Sequence, residues 1–289
     1  MNLMKVPGLL KMKTQLLKTG RCLLLRALPP LLIVLMISSG GSAMDRAELA
    51  KVLKTMPPNG PFWKYGNVVM RSKSRKAGLA PVVFSHWSHR SRYTCRVCHQ
   101  ELGFSMRQGD SGITRNQYLA GKFCGACHNG TIAFTVKDGP KPNCKKCHME
   151  NTKELEKQFA AFSDNLPLAS FGNGIDWAAA LRDETIKPAN TLNANAGTLQ
   201  FPEKLRQPLK LGTASPRSDV SFSHEDHFAE LDCSSCHPDI FNIKQKSTAA
   251  FSMDSNIYGS FCGACHMQVA FPMNDCKRCH ISMTSSSDY

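Results

Sequence analysis

Apolar residues in this chain of 289 fall in short, separated runs, and few keep a period long enough to build a core. One stretch, Ala27 to Ile37, follows a segment carrying Lys5, Lys11, Lys13, Lys18, Arg21 and Arg26 and no acid, and small residues then lead to Gly41-Ser42-Ala43. A basic start, an apolar run and a small-residue end make residues 1–43 an expected export signal. The run is shorter than the about 20 residues a membrane span needs. Cleavage is the first reading, and an uncleaved N-terminal anchor is the alternative. No later segment is apolar enough to cross a membrane. Helical spacing predicts a short helix from Asp45 to Met56 with Asp45 as its cap. A second runs from Thr152 to Phe162 with Leu155, Phe159 and Phe162 on one face, and a third from Asp176 to Asp183. Residues 108–112 and 138–142 are turn-rich. Residues 187–219, rich in Pro, Asn, Ala and Thr, read as an extended connector, and Ser282 to Tyr289 as a frayed tail.

What replaces an apolar core is visible in the cysteines. Twelve of the thirteen sit in six Cys-x-x-Cys-His motifs: Cys95-Cys98-His99, Cys124-Cys127-His128, Cys144-Cys147-His148, Cys233-Cys236-His237, Cys262-Cys265-His266 and Cys276-Cys279-His280. Each reads as a c-type haem attachment site. The two thiols add across the two vinyl groups of one haem, and the histidine, one helical turn past the first cysteine, reaches the iron from the same face. Zinc knuckles also use Cys-x-x-Cys, but they pair two knuckles into one centre and do not need a histidine on every one. The thirteenth cysteine, Cys22, follows Thr-Gly-Arg, which is not a lipoprotein box. With the signal removed, no thiol is left for a disulfide, so haem crosslinks staple the fold.

The motifs are duplicated. Phe84-Ser85-His86-Trp87-Ser88-His89 recurs 138 positions later as Phe222-Ser223-His224-Glu225-Asp226-His227, and Phe-Cys-Gly-Ala-Cys-His stands at 123–128 and 261–266. The third motif is six residues closer in the second copy. The predicted organisation is residues 1–43 signal, 44–150 an N-terminal arm plus a first trihaem module, 151–219 a helical and extended connector, and 220–289 a second module and tail. Sixty to seventy residues around three haems are too few for an ordinary core. The macrocycles are expected to form it, wrapped by coil and short α-helices.

Charge looks different once haem is counted. The signal holds six of the 36 Lys and Arg and none of the 22 acids, so the formal +14 falls to +8 without it. Two propionates on each of six haems would bring the holoprotein to about −4, which argues against nucleic-acid binding. Arg71, Lys73, Arg75 and Lys76 are read as a solvated or propionate-facing loop, with docking of an acidic redox partner as the alternative.

Ten histidines less six proximal ligands leave His86, His89, His224 and His227, paired identically ahead of the first motif of each module and therefore expected as distal ligands. Bis-imidazole iron has low potential and no free coordination position. The Phe-x-His-x-x-His segment followed by closely spaced motifs resembles the class III multihaem cytochromes c, in particular the trihaem cytochrome c7 type. The resemblance covers both modules and implies that His86 and His224 cap each module's first haem and His89 and His227 the second. Members of that type carry a further histidine before the second motif, whereas residues 118–123 and 256–261 have none. The haems at His148 and His280 then need another sixth ligand, with Met106, Met149, Met253, Met267 and Met273 in sequence reach, an exchangeable position or a histidine from another molecule as the options.

The expectation is an exported, non-enzymatic hexahaem electron carrier or conduit in anaerobic respiration, periplasmic first and outer-membrane-associated or extracellular second. Its partners would be redox donors and acceptors, with no nucleic acid and membrane contact only through an uncleaved signal or a partner complex. A haem reductase using a haem without two histidines, or a subunit of an extracellular or outer-membrane electron-conducting assembly, are the rivals.

Overall fold

The computed structural model describes residues 64–107, 109–137, 142–193, 195, 197, 200–211, 219–242 and 252–283. The chain divides into two units, Met1–Gly41 and Ser42–Tyr289. The first lies outside the described residues, as do the predicted helix from Asp45 to Met56, most of the 138–142 turn and the end of the tail. Among the described residues no helix is long and apolar enough to cross a membrane.

The sequence repeat becomes a structural one. Strand β1 (Asn67–Met70) pairs antiparallel with β2 (Val82–Ser85), in a register that sets Asn67 opposite Ser85. Strand β3 (Leu209–Leu211) pairs with β4 (Val220–Phe222), with Leu209 opposite Phe222. Each second strand runs into a short helix, His86–Arg90 or His224–Phe228, that carries both spare histidines. Ser85 and Ser223 enter these helices in extended conformation, and Ser223 also accepts from the Asp226 N–H, which stops the strand and starts the turn. The third motif of each module then returns to that strand: Val83 N donates to Cys147 O, and Ser221 N to Cys279 O, both at 3.0 Å. Within the 187–219 segment, Leu209–Leu211 forms the first strand of the second hairpin. One expectation is corrected here. The basic Arg71–Lys76 stretch is not a loop, because Ser72–Lys76 is helical, with Ser74 packed inward.

Regular structure is sparse, as the motif density predicts. The longest helix among the described residues is Lys153–Ser163, 11 residues, with acidic Glu154 and Glu156 in its first turn. Trp177–Arg182 is capped by Asp176, whose carboxylate accepts from the Ala179 N–H. These two connector helices supply what the sequence reading left out, a small protein core. Trp87, Leu155, Phe159, Ile175 and Trp177 are buried together. The Trp87 ring meets Phe159 edge-on at 5.3 Å, and Phe162 stacks on Trp177 at 6.1 Å. The core thus clamps the connector onto the helix that presents His86 and His89.

The two modules meet through their first motifs. Arg96 N donates to Glu230 O at 3.0 Å, and its guanidinium reaches Phe228 O and Leu231 O. Gln100 bridges Ser234 and Ser235, and Arg90 pairs with Glu230 at 3.0 Å. At the other side, Arg278 ties the last motif to Asp176 of the connector at 2.9 Å.

Candidate functional site

In five motifs the histidine N–H donates to the carbonyl of the first cysteine, closing one helical turn: His128 to Cys124, His148 to Cys144, His237 to Cys233, His266 to Cys262 and His280 to Cys276, at 2.8–2.9 Å. That turn puts the imidazole on the face of the first thiol, as the spacing requires. The second motif of each module is held especially close to the helix before it. A Cβ on Gly125 would lie 2.0 Å from Tyr118 O, and one on Gly263 would lie 1.7 Å from Asn256 O. Only glycine permits that approach. Phe123 and Phe261, one residue ahead of each motif, take positive φ values of 53° and 48° to make the entry.

The motifs surround one cavity of about 3370 Å³, several times the ~300–1,000 Å³ of an ordinary small-molecule pocket. It is lined by every motif cysteine except Cys276 and by every histidine except His280. None of the twelve motif cysteines forms a disulfide. Burial pushes the thiols of Cys98, Cys124 and Cys265 up to about 11 and that of Cys262 to about 12, and raises Cys95 further.

The histidines show most clearly what the cavity is shaped for. His99 Nδ1 donates to Phe104 O at 2.9 Å, His128 to Phe134 O at 3.0 Å, His148 to Ala80 O at 2.7 Å, His237 to Phe241 O at 2.6 Å and His266 to Phe271 O at 2.9 Å. Among the spare histidines, His86 donates to Gly66 O at 2.8 Å, His89 to Ser85 O at 2.9 Å and His227 to Ser223 O at 2.8 Å. A carbonyl can only accept, so Nδ1 carries the proton and Nε2 is left as the lone-pair donor, the arrangement of metal-ligating imidazoles. Burial pushes His86 and His266 down to about 4 and lowers His89, His99 and His224 as well, which favours the neutral form of those five rings.

The expected distal partners are brought together. The rings of His89 and His128 lie 6.2 Å apart between centroids, and so do those of His227 and His266. A metal–imidazole bond is about 2.0 Å and a ring centroid lies about 1.1 Å behind its nitrogen, so two imidazoles facing one metal stand about 6.2 Å apart. The observed separation fits an iron between them. His86 lies within electrostatic reach of His99, and His224 of His237. The residues therefore fit covalently held haem.

The methionine options divide. Met106 and Met149 line the cavity, whereas Met253, Met267 and Met273 pack around Ile257 in a second small cluster. Of the basic cluster, Arg71 and Lys73 line the cavity and Lys73 donates to Gly112 O, while Arg75 and Lys76 are exposed outside its lining. The sequence reading missed the carbonyls that hold Nδ1. One signal was available for four of them: a phenylalanine stands four to six residues past the histidine of the first two motifs in both modules (Phe104, Phe134, Phe241, Phe271).

The profile described as "Cytochrome c7 and related cytochrome c" matches residues 82–149 and 220–281, one match for each module. A solved c7-type three-haem cytochrome domain is 37% identical over 29% of this chain and 91% of its own, with a TM-score of 0.25. The C-terminal hexahaem fragment of a dodecahaem cytochrome c is 25% identical over 74% of this chain and 96% of its own, with a TM-score of 0.24. The N-terminal hexahaem fragment is 26% identical, covering 74% and 98%, with a TM-score of 0.23. Among curated protein sequences none matches.

Proposed function

We propose that this chain, which belongs to the cytochrome c7 family, carries six covalent haem c groups and works as an exported electron carrier or conduit. Electron transfer is the activity of multihaem c-type cytochromes, and bound haem supplies a reversible one-electron couple at each iron. The observation that carries the reading is the orientation of the histidines. Nine of ten line one cavity, and eight hold Nδ1 on a backbone carbonyl.

The chain's own residues then have defined tasks. The paired thiols of each motif hold the group covalently. His99, His128, His148, His237, His266 and His280 are the proximal ligands, and His86, His89, His224 and His227 the distal ones. The Nδ1–carbonyl bonds raise ligand basicity and favour the ferric state. The modules pack motif against motif, at Arg96 and Gln100 on one side and Phe228, Leu231, Ser234 and Ser235 on the other. That contact supports a continuous path through six sites rather than two isolated sets of three. Periplasmic residence, anaerobic respiration and protein or extracellular redox partners complete the proposal.

Haem content per chain, from pyridine haemochrome absorbance and intact mass, tests it directly. Six haems per chain and carbon monoxide uptake by at most two reduced irons are expected. Fewer than six, or uptake by three or more, overturns the ligand set. Catalytic turnover that depends on the carbon monoxide-binding iron would favour the reductase reading.

A further inference from the structure

Between the paired distal histidines and the first two motifs of each module, the histidine anchors described in both copies repeat except at one position. His89 and His227 donate Nδ1 to the serine carbonyl four residues back, and the proximal histidines of the first two motifs donate to the carbonyl of a following phenylalanine in both copies. His86 donates Nδ1 to Gly66 O, and its backbone N–H reaches the same oxygen at 3.0 Å. His224, the repeat of His86, has its Nδ1 buried with no hydrogen-bond partner among the described residues.

The hairpin explains the difference. Register sets Asn67 opposite Ser85, so Gly66 stands opposite His86. In the second hairpin Leu209 pairs with Phe222, which places Pro208 opposite Ser223 and Gln207 opposite His224. Gly66 turns its carbonyl toward the imidazole at a φ of +81°. Gln207 precedes a proline, whose ring disfavours a turn through the helical region there, and among the described residues it is not one with a positive φ. The second hairpin therefore lacks the left-handed residue that aims a carbonyl at the imidazole in the first.

We infer that Gly66 is a positioning residue for the distal ligand of the first module, and that its replacement by Gln207-Pro208 sets the haem at His237 to a higher potential than the haem at His99. An anchored imidazole has partial imidazolate character and stabilises ferric iron, and an unanchored one stabilises it less. The first motifs are neighbours across the module contact, so the difference lies at the crossing. Electrons collect on the second-module side.

This inference rests on the ligand assignment proposed above, and the experiment separates the two. In the purified holoprotein, a potentiometric titration is followed by NMR of assigned haem methyl resonances. At the potential where the His99 haem is half reduced, the His237 haem is expected to be reduced tenfold over oxidised, about 59 mV for one electron. Gly66→Ala, which strains the turn while meeting no atom closer than 3.8 Å, should shift the His99 haem upward and close the gap. Gln207→Gly with Pro208→Asn should shift the His237 haem downward. The His224 Nδ1 proton should also exchange faster than that of His86. Coincident titration of the two haems, or a gap unmoved by Gly66→Ala and by the double variant, overturns the inference alone. His224→Ala tests the assignment: one haem turning high-spin supports it, and an unchanged low-spin count overturns assignment and inference together.

Discussion

Replacing Arg90 by alanine should loosen the contact between the two modules. The Arg90 guanidinium lies 3.0 Å from Glu230 Oε1, donates to Val269 O at 3.4 Å and sits 4.3 Å from the centre of the Trp177 ring. The two side chains are only 14% and 16% exposed, so solvent screens the pair weakly. Alanine leaves the Glu230 carboxylate nearly buried beside Cys95 Sγ at 3.3 Å, and that sulfur has no proton to offer once it is a thioether. Removing one partner of a buried pair costs about 3–5 kcal/mol. The lost contact with Trp177 adds about 0.5–2 kcal/mol. A loss of about 4 kcal/mol corresponds to a Tm lower by roughly 8–16 °C for a unit of this size. Arg90→Met with Glu230→Gln removes both charges and should recover most of it. Guanidinium unfolding of the wild-type, Arg90→Met, Glu230→Gln and doubly substituted holoproteins, followed by the Soret circular dichroism, gives the coupling energy. A single-variant loss under about 1 kcal/mol, or strict additivity in the double variant, refutes the argument that this pair holds the junction.

Three further outcomes follow from the geometry. Gly263→Ala forces a Cβ to within 1.7 Å of Asn256 O; backbone against backbone cannot give way cheaply, so a loss of about 3 kcal/mol and reduced haem loading at Cys262 are expected by denaturation and peptide mass spectrometry. Trp87→Ala empties the connector core and should cost about 3–5 kcal/mol, whereas Trp87→Phe, which removes a buried N–H without a partner, should cost much less; equal losses would count against the packing role. His86 and His266 have folded pKa values of about 4, below about 6.5 for an unfolded histidine. As pH falls through 6.5 toward 4 the unfolded chain takes up protons the folded one refuses, so stability is lost in that window by up to about 3 kcal/mol per histidine. Iron ligation moves the lower limit down, and denaturation midpoints that stay flat from pH 7 to 4.5 would refute this linkage.

Much of the site was legible because its chemistry is local. A Cys-x-x-Cys-His motif needs one turn of backbone, and in five of the six the histidine N–H closes that turn on the first cysteine. The helices at Lys153–Ser163 and Trp177–Arg182 were readable from Leu155, Phe159 and Phe162 and from the Asp176 cap. What those apolar faces would cover was not readable, because Trp87 lies more than sixty residues away in sequence. The strand Leu209–Leu211 was missed for a related reason: three residues have too little period to announce themselves, and only the partner Val220–Phe222 makes them a strand.

The sequence by itself determined the kind of chemistry, the number of motifs, their duplication and the supply of histidines, since each follows from residue type and spacing within a few positions. Tertiary structure decided which nitrogen each imidazole presents, which methionines face the cavity and how the modules meet. Those depend on backbone carbonyls, such as Gly66 and Ala80, that carry no side-chain signature and gain meaning only where the fold aims them. The two hairpins show the division most plainly. His86 and His224 read alike in the sequence, and only strand register reveals that one faces a turning glycine and the other the Gln207 that precedes Pro208.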